Sequence, residues 1–251
     1  MGFTEIFKKP FELLIANPLL FLPKFISNTL WLLPYLMLMG EFKKALAYSY
    51  AYAQTGMAGI LQIWGIFILV IPFWLLLEGM YPPLVEQCIK GKVNFFMAFR
   101  ISLSKFIPLL AFLLLSLGLF ALLTAVPIFL ISYGFFIGKM ELILACAIFV
   151  LAVAFFLSAV FYFTPTAVLL EKGGTFDSFL YGMRVSKEQM GIVSVLTLFT
   201  FFLFAIGALV EGVVGTLGTI GFVIGRYLGG IFAVYAYVMN TNSYLEFRER
   251  R

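Results

Sequence analysis

The side chains able to do acid–base, nucleophilic or metal chemistry are few in this sequence. It contains no histidine, which removes the commonest general base, metal ligand and physiological pH switch. Asp177 is the only aspartate, so an aspartyl dyad is impossible. Cys88 and Cys146 have no CxxC or other metal-binding spacing. Cys88 is expected in a cytoplasmic loop and Cys146 in a helix, which argues against a disulfide between them. No GxSxG, HExxH or Walker A pattern occurs. The expectation is a protein that is not an enzyme and needs no cofactor.

The polar residues that matter are those embedded in apolar runs. Arg226 is foremost, about ten residues into its run and so about 15 Å deep at 1.5 Å per residue. An arginine at mid-membrane costs about 2.5–3.5 kcal/mol on insertion scales and usually faces the bundle or a wet cavity. It would bind an anionic group such as a phosphate or carboxylate, pair with Glu211 or Glu78, or reach past Tyr227 to an interface. Lys24, Ser27, Asn28 and Thr29 lie between Pro23 and Pro34. They would line a polar pocket in a kinked helix or satisfy one another. Arg226, Glu211, Glu78, Lys24 and Asn28 together form the candidate polar or transport site. Gly221, Gly225 and Gly229 recur every four residues and let a second backbone approach. Gly218 and Gly230 are expected to broaden the same face.

These residues need helices in lipid to position them. Hydrophobic residues make up 63% of the 251-residue chain and charged ones 12%. Soluble domains average about 45–50% and about 25%. Six stretches are apolar enough to span a bilayer: residues 19–40, 57–80, 106–133, 142–164, 191–210 and 216–239. Thirteen Lys and Arg residues then fall on one side of the membrane and three, Lys43, Lys44 and Lys139, on the other. The positive-inside rule places both termini in the cytoplasm, in the cell membrane. The net charge of +5 reads as orientation and contact with anionic lipid head groups, not as nucleic-acid binding. Tyr48, Tyr50 and Tyr52 suit an outer aromatic belt.

Three lead-in segments look alike: FTEIFKKPFELLIANPLL from Phe3, VNFFMAFRISLSKFIPLL from Val93 and DSFLYGMRVSKEQMGIVS from Asp177. Each opens near a potential cap, Thr4, Asn94 or Ser178, and continues with apolar residues at helical spacing. In the first these include Ile6, Phe11, Leu14 and Ile15. Such helices lie along the interface, apolar face in the acyl boundary. The chain thus reads as one all-α membrane domain, a six-helix bundle with interfacial helices and a possible threefold repeat at 3–92, 93–176 and 177–251. Lys8, Lys9, Arg100, Lys105, Arg184 and Lys187 are the expected membrane-surface or partner contacts. YPPLVEQCIKGKVNFFMAFRIS and FTPTAVLLEKGGTFDSFLYGMRVS share Pro, Glu, Lys-Gly and Arg-x-Ser in order. Pro83 and Pro165 should mark helix exits, and Gly91, Gly173 and Gly174 the turns after them.

With these motifs the chain resembles the six-helix membrane domain preceding the catalytic domain of some glycerophosphodiester phosphodiesterases, and related uncharacterised prokaryotic membrane families. The resemblance covers most of the chain and is clearest from FTPTAVLLEKGG to GMRVSKE. It implies fold and membrane location. It implies no activity, because no stretch of these 251 residues is expected to form the soluble catalytic domain and there is no histidine to serve its chemistry.

Three functions remain open on the sequence. One is a transport-like or export module for an anionic or lipid-like solute. The second is a non-catalytic lipid-interacting scaffold that anchors a protein partner. The third is a permease subunit served by a separate ATPase. Transport ranks slightly ahead because Arg226 asks for a polar environment; an Arg226 paired in a closed, dry bundle would count against it.

Overall fold

A computed structural model describes residues 3–47, 65–66 and 68–249; the Tyr48, Tyr50 and Tyr52 run and the start of the second expected span lie outside them. Among the described residues the chain is all-α. In order come α1 (Phe3–Ala16), a 3₁₀ turn (Pro18–Phe21), α2 (Leu22–Ala47), α3 (residues 68–78), α4 (Tyr81–Ile89) and α5 (Phe95–Ser104). Then follow α6 (Phe106–Ile137), α7 (Met140–Val160), α8 (Thr164–Leu170), α9 (Thr175–Glu188), α10 (Met190–Gly215) and α11 (Thr219–Glu249). Among the described residues six stretches are long and apolar enough to cross a bilayer: Pro18–Met37, Ile68–Ile89, Phe106–Ile137, Met140–Leu170, Met190–Gly215 and Thr219–Glu249.

The chain divides into two compact units, Met1–Ser104 with Leu203–Met239, and Lys105–Phe202 with Asn240–Arg251. In the second unit, α6 and α7 form a hairpin around Gly138, whose φ of 68° ends α6 in the left-handed conformation that glycine adopts most readily. Only 6% of the most apolar window of α6, and 11% of that in Met140–Leu170, is buried inside the protein. Water could not solvate so much exposed Leu, Ile and Phe, so the medium around this hairpin is hydrocarbon.

The second and fourth spans are each broken in the same way. Turns at Gly79–Met80 and at 161–163 interrupt them, and the short helices α4 and α8 follow. Pro83 and Pro165 lie in the first turns of these short helices and do not mark helix exits. Proline fits there because its missing N–H would have no intrahelical partner. Cys88 accordingly lies buried in α4 and not in a loop. Gly91, with φ 72°, makes the turn that follows. Gly174 precedes α9 with a negative φ of −58°, so no left-handed turn is used there.

The lead-in helices are amphipathic in a different sense from the sequence expectation. Asn94 caps α5, its Oδ1 accepting from the Met97 N–H at 2.9 Å. Ser178 is no cap; it lies inside α9, buried. Each lead-in buries a stripe spaced four residues apart. In α1 this stripe is Ile6, Pro10 and Leu14, in α5 Ala98 and Ser102, and in α9 Ser178, Gly182 and Ser186. Ile6 and Leu14 therefore pack against protein and not lipid. The large apolar side chains Phe11, Ile15, Phe96, Met97, Leu103 and Phe176 stay exposed. Ser102 Oγ donates to the Leu76 carbonyl at 2.7 Å, tying α5 to α3. Ser186 Oγ accepts from the Phe163 N–H at 3.2 Å, tying α9 to the start of α8. The serines of the two Arg-x-Ser motifs thus do equivalent work, each anchoring its lead-in helix beside the break in the preceding span.

Candidate functional site

The polar residues of the first unit converge on the facing sides of α2 and α11. These helices run antiparallel: Tyr35 meets Phe222, Asn28 meets Arg226, and Lys24 meets Tyr237. Asn28 Nδ2 donates to the Arg226 carbonyl at 3.0 Å. Thr29 Oγ1 lies 2.7 Å from the Tyr227 hydroxyl and 2.8 Å from the Phe25 carbonyl. Gly230 faces this seam, where an added Cβ would lie 2.6 Å from Asn28 Nδ2. It does not extend the other glycine face as expected. Gly218 is not on that face either; it turns the chain between α10 and α11 with φ 90°.

Lys24 Nζ contacts Glu78 Oε1 at 2.7 Å, and the side chains are only 15% and 10% exposed. Trp74 Nε1 donates to the same oxygen at 3.1 Å. Tyr81 and Tyr237 stack beside the pair with ring centroids 4.8 Å apart, and Lys24 Nζ lies 5.6 Å from the Tyr237 ring centre. Neither charge would be tolerable here alone, because an uncompensated buried ion loses its hydration with nothing in return.

Arg226 pairs with Glu211, Nη1 to Oε1 at 3.0 Å, and its guanidinium stacks 4.4 Å from the Tyr35 ring centre. Since α11 begins at Thr219, Arg226 lies about 10 Å from the helix start, at 1.5 Å per residue. This is shallower than the 15 Å expected from the sequence. Its side chain is 13% exposed. Glu78, the other expected partner, is taken by Lys24.

Backbone proximity brings Glu211 to Arg226. An added Cβ on Gly225 would lie 3.0 Å from the Glu211 backbone, and one on Gly229 2.7 Å from the Gly207 carbonyl oxygen. One on Gly221 would collide with the Val214 carbonyl. All three glycines thus turn to α10, which meets Gly221 with Val214, Gly225 with Glu211 and Gly229 with Gly207, a partner the sequence reading did not single out.

The expected surface cations differ in exposure and are divided between the two units. Lys8 pairs with Glu12 at 3.2 Å while 74% exposed. Lys9 is half-buried, and Arg100, Arg184 and Lys187 are exposed. In the second unit the sequence reading missed a polar knot. The buried run Thr241–Ser243 follows Asn240, whose Nδ2 donates to the Tyr162 carbonyl and whose Oδ1 accepts from Thr166, both at 2.7 Å. Tyr244 donates to Glu171 Oε1 at 2.7 Å, Arg248 Nη1 lies 3.6 Å from the same oxygen, and Lys105 Nζ donates to the Glu171 carbonyl at 3.2 Å. The signal was legible: four consecutive polar residues, 240–243, directly after an apolar span.

The chain matches no family model, no curated protein and no solved structure.

Proposed function

We propose that the chain is a non-catalytic, lipid-interacting membrane protein whose lead-in helices grip the cytoplasmic leaflet and present a basic, apolar underside that anchors a protein partner. The carrying observation is the division of labour between its charges. Lys24 and Arg226 are matched by Glu78 and Glu211. The cations on α5 and α9, Arg100, Arg184 and Lys187, stand exposed on helices that also expose Phe96, Met97, Leu103 and Phe176. Exposed aromatics beside basic residues suit a helix lying at an anionic interface. The sequence ranks transport slightly ahead because Arg226 asks for a polar environment; Glu211 and Tyr35 supply that environment internally, which favours the scaffold reading.

The test is hydrogen–deuterium exchange of the full chain in nanodiscs. Exchange in α1, α5 and α9 should slow when phosphatidylglycerol replaces part of the phosphatidylcholine. Identical exchange in the two bilayers would overturn the proposal.

A further inference from the structure

We propose that Glu78, Trp74, Tyr81 and Tyr237 form a binding site for a small primary ammonium ion, and that the Lys24 side chain is its tethered occupant. All of these residues belong to the first unit. Glu78 supplies the charge: its Oε1 takes Lys24 Nζ at 2.7 Å and Trp74 Nε1 at 3.1 Å. Tyr81 and Tyr237 supply an aromatic wall. Their ring centroids stack 4.8 Å apart, and Lys24 Nζ lies 5.6 Å from the Tyr237 ring centre, within the range at which an aromatic face attracts a cation. A carboxylate joined to an aromatic face suits a cation that also donates hydrogen bonds.

The carboxylate offers more than its tethered occupant uses. The Glu78 side chain is only 10% exposed, and its Oε2 is buried without a hydrogen bond. An ammonium carries three N–H donors, so one freed from a backbone tether can settle between both oxygens. The break at Gly79–Met80 follows Glu78 directly and puts Tyr81 at the start of α4, beside the carboxylate. Lys24 lies in the first turn of α2, about 3 Å along its axis, so the site sits close to one end of that span. The chemistry narrows the ligand. An anion would meet the Glu78 charge, and a quaternary ammonium lacks the N–H that the 2.7 Å contact requires. A second cation beside Lys24 would be repelled, so an amine enters only in place of Lys24. The tether gives Lys24 a high effective concentration, so the wild type excludes dilute amine.

Lys24→Ala removes Cγ, Cδ, Cε and Nζ, which are the heavy atoms of propylammonium. The experiment is thermal unfolding of the full-chain Lys24→Ala variant in detergent, titrated with propylammonium chloride at constant ionic strength. The unfolding midpoint should rise and saturate. Propylammonium should act at a concentration about tenfold or more below that of propan-1-ol, which has the same length without the charge. Tetramethylammonium, charged but without an N–H, should do no more than sodium. A Lys24→Ala chain that does not fold alone should be recovered by purification in propylammonium, and failure to recover it would overturn the proposal. The wild type, with Lys24 in place, should show no saturating rise. Nor should the Lys24→Met, Glu78→Leu double variant, which lacks the carboxylate. A response in either equal to that of Lys24→Ala would overturn the site. So would equal action of propan-1-ol or tetramethylammonium.

Discussion

Lys24 and Glu78 show why a charge can sit inside an apolar helix. Separately, each is a buried ion; together, at 2.7 Å, each cancels much of the other's desolvation cost. Removing one partner should therefore be worse than removing both. Glu78→Gln is expected to destabilise by about 3–5 kcal/mol, the usual cost of breaking a buried pair. Lys24→Met combined with Glu78→Leu should recover most of that loss. Thermal unfolding in detergent measures both, and equal losses in the single and double variants would sink the explanation. A polar tip such as Asn94 acts on a smaller scale. Asn94→Ala removes a cap and should cost about 1 kcal/mol, seen as faster amide exchange at the start of α5.

The helices pack through what their glycines lack. Where α10 meets α11, the Gly207 and Gly229 backbones approach until a single methyl would strike a carbonyl oxygen. Gly229→Ala must push the helices apart and should cost about 1–3 kcal/mol, the range for overpacking. Gly225→Leu should be worse, because its side chain would enter the Glu211 backbone. Gly212→Ala in the same α10, with nothing within 4 Å of the added Cβ, is the control and should be neutral or slightly stabilising. Equal unfolding midpoints for Gly229→Ala and Gly212→Ala would refute close packing. The same logic applies in the second unit, where a Cβ on Gly182 would lie 2.6 Å from the Thr164 Cα. A close seam there lets α9 press on α8 and frees its bulky side chains for lipid.

For the molecule as a whole, six crossings require the chain before α1 and after α11 to lie on the same side. Reporters placed at both positions should react with a membrane-impermeant reagent from one side only. Labelling from opposite sides would mean an odd number of crossings and would reverse the assignment of the lead-in helices to one leaflet. The exposed α6–α7 hairpin makes the protein's behaviour depend on its solvent. Its apolar surface must be covered by lipid or detergent acyl chains, whereas the paired charges of the first unit carry their own partners.

The spans and their lead-in helices were legible in the sequence because they depend on averages. A run of some 20 apolar residues has the same consequence wherever its side chains point. Partner choice is different. Nothing local told Arg226 to choose Glu211 over Glu78; the Gly225–Glu211 backbone approach decided it. Nor did periodicity reveal that Ile6 and Leu14 would turn inward, since lipid and a protein core present the same apolar environment to a helix face. The meeting of Lys105, Glu171, Tyr244 and Arg248 joins residues from three distant parts of the chain. By itself the sequence determined that this chain is helical and built for a hydrocarbon solvent, because hydropathy sums along the chain. Only the tertiary structure decided which charges are cancelled and by which partner, because an ion's fate depends on what lies within about 4 Å of it in space.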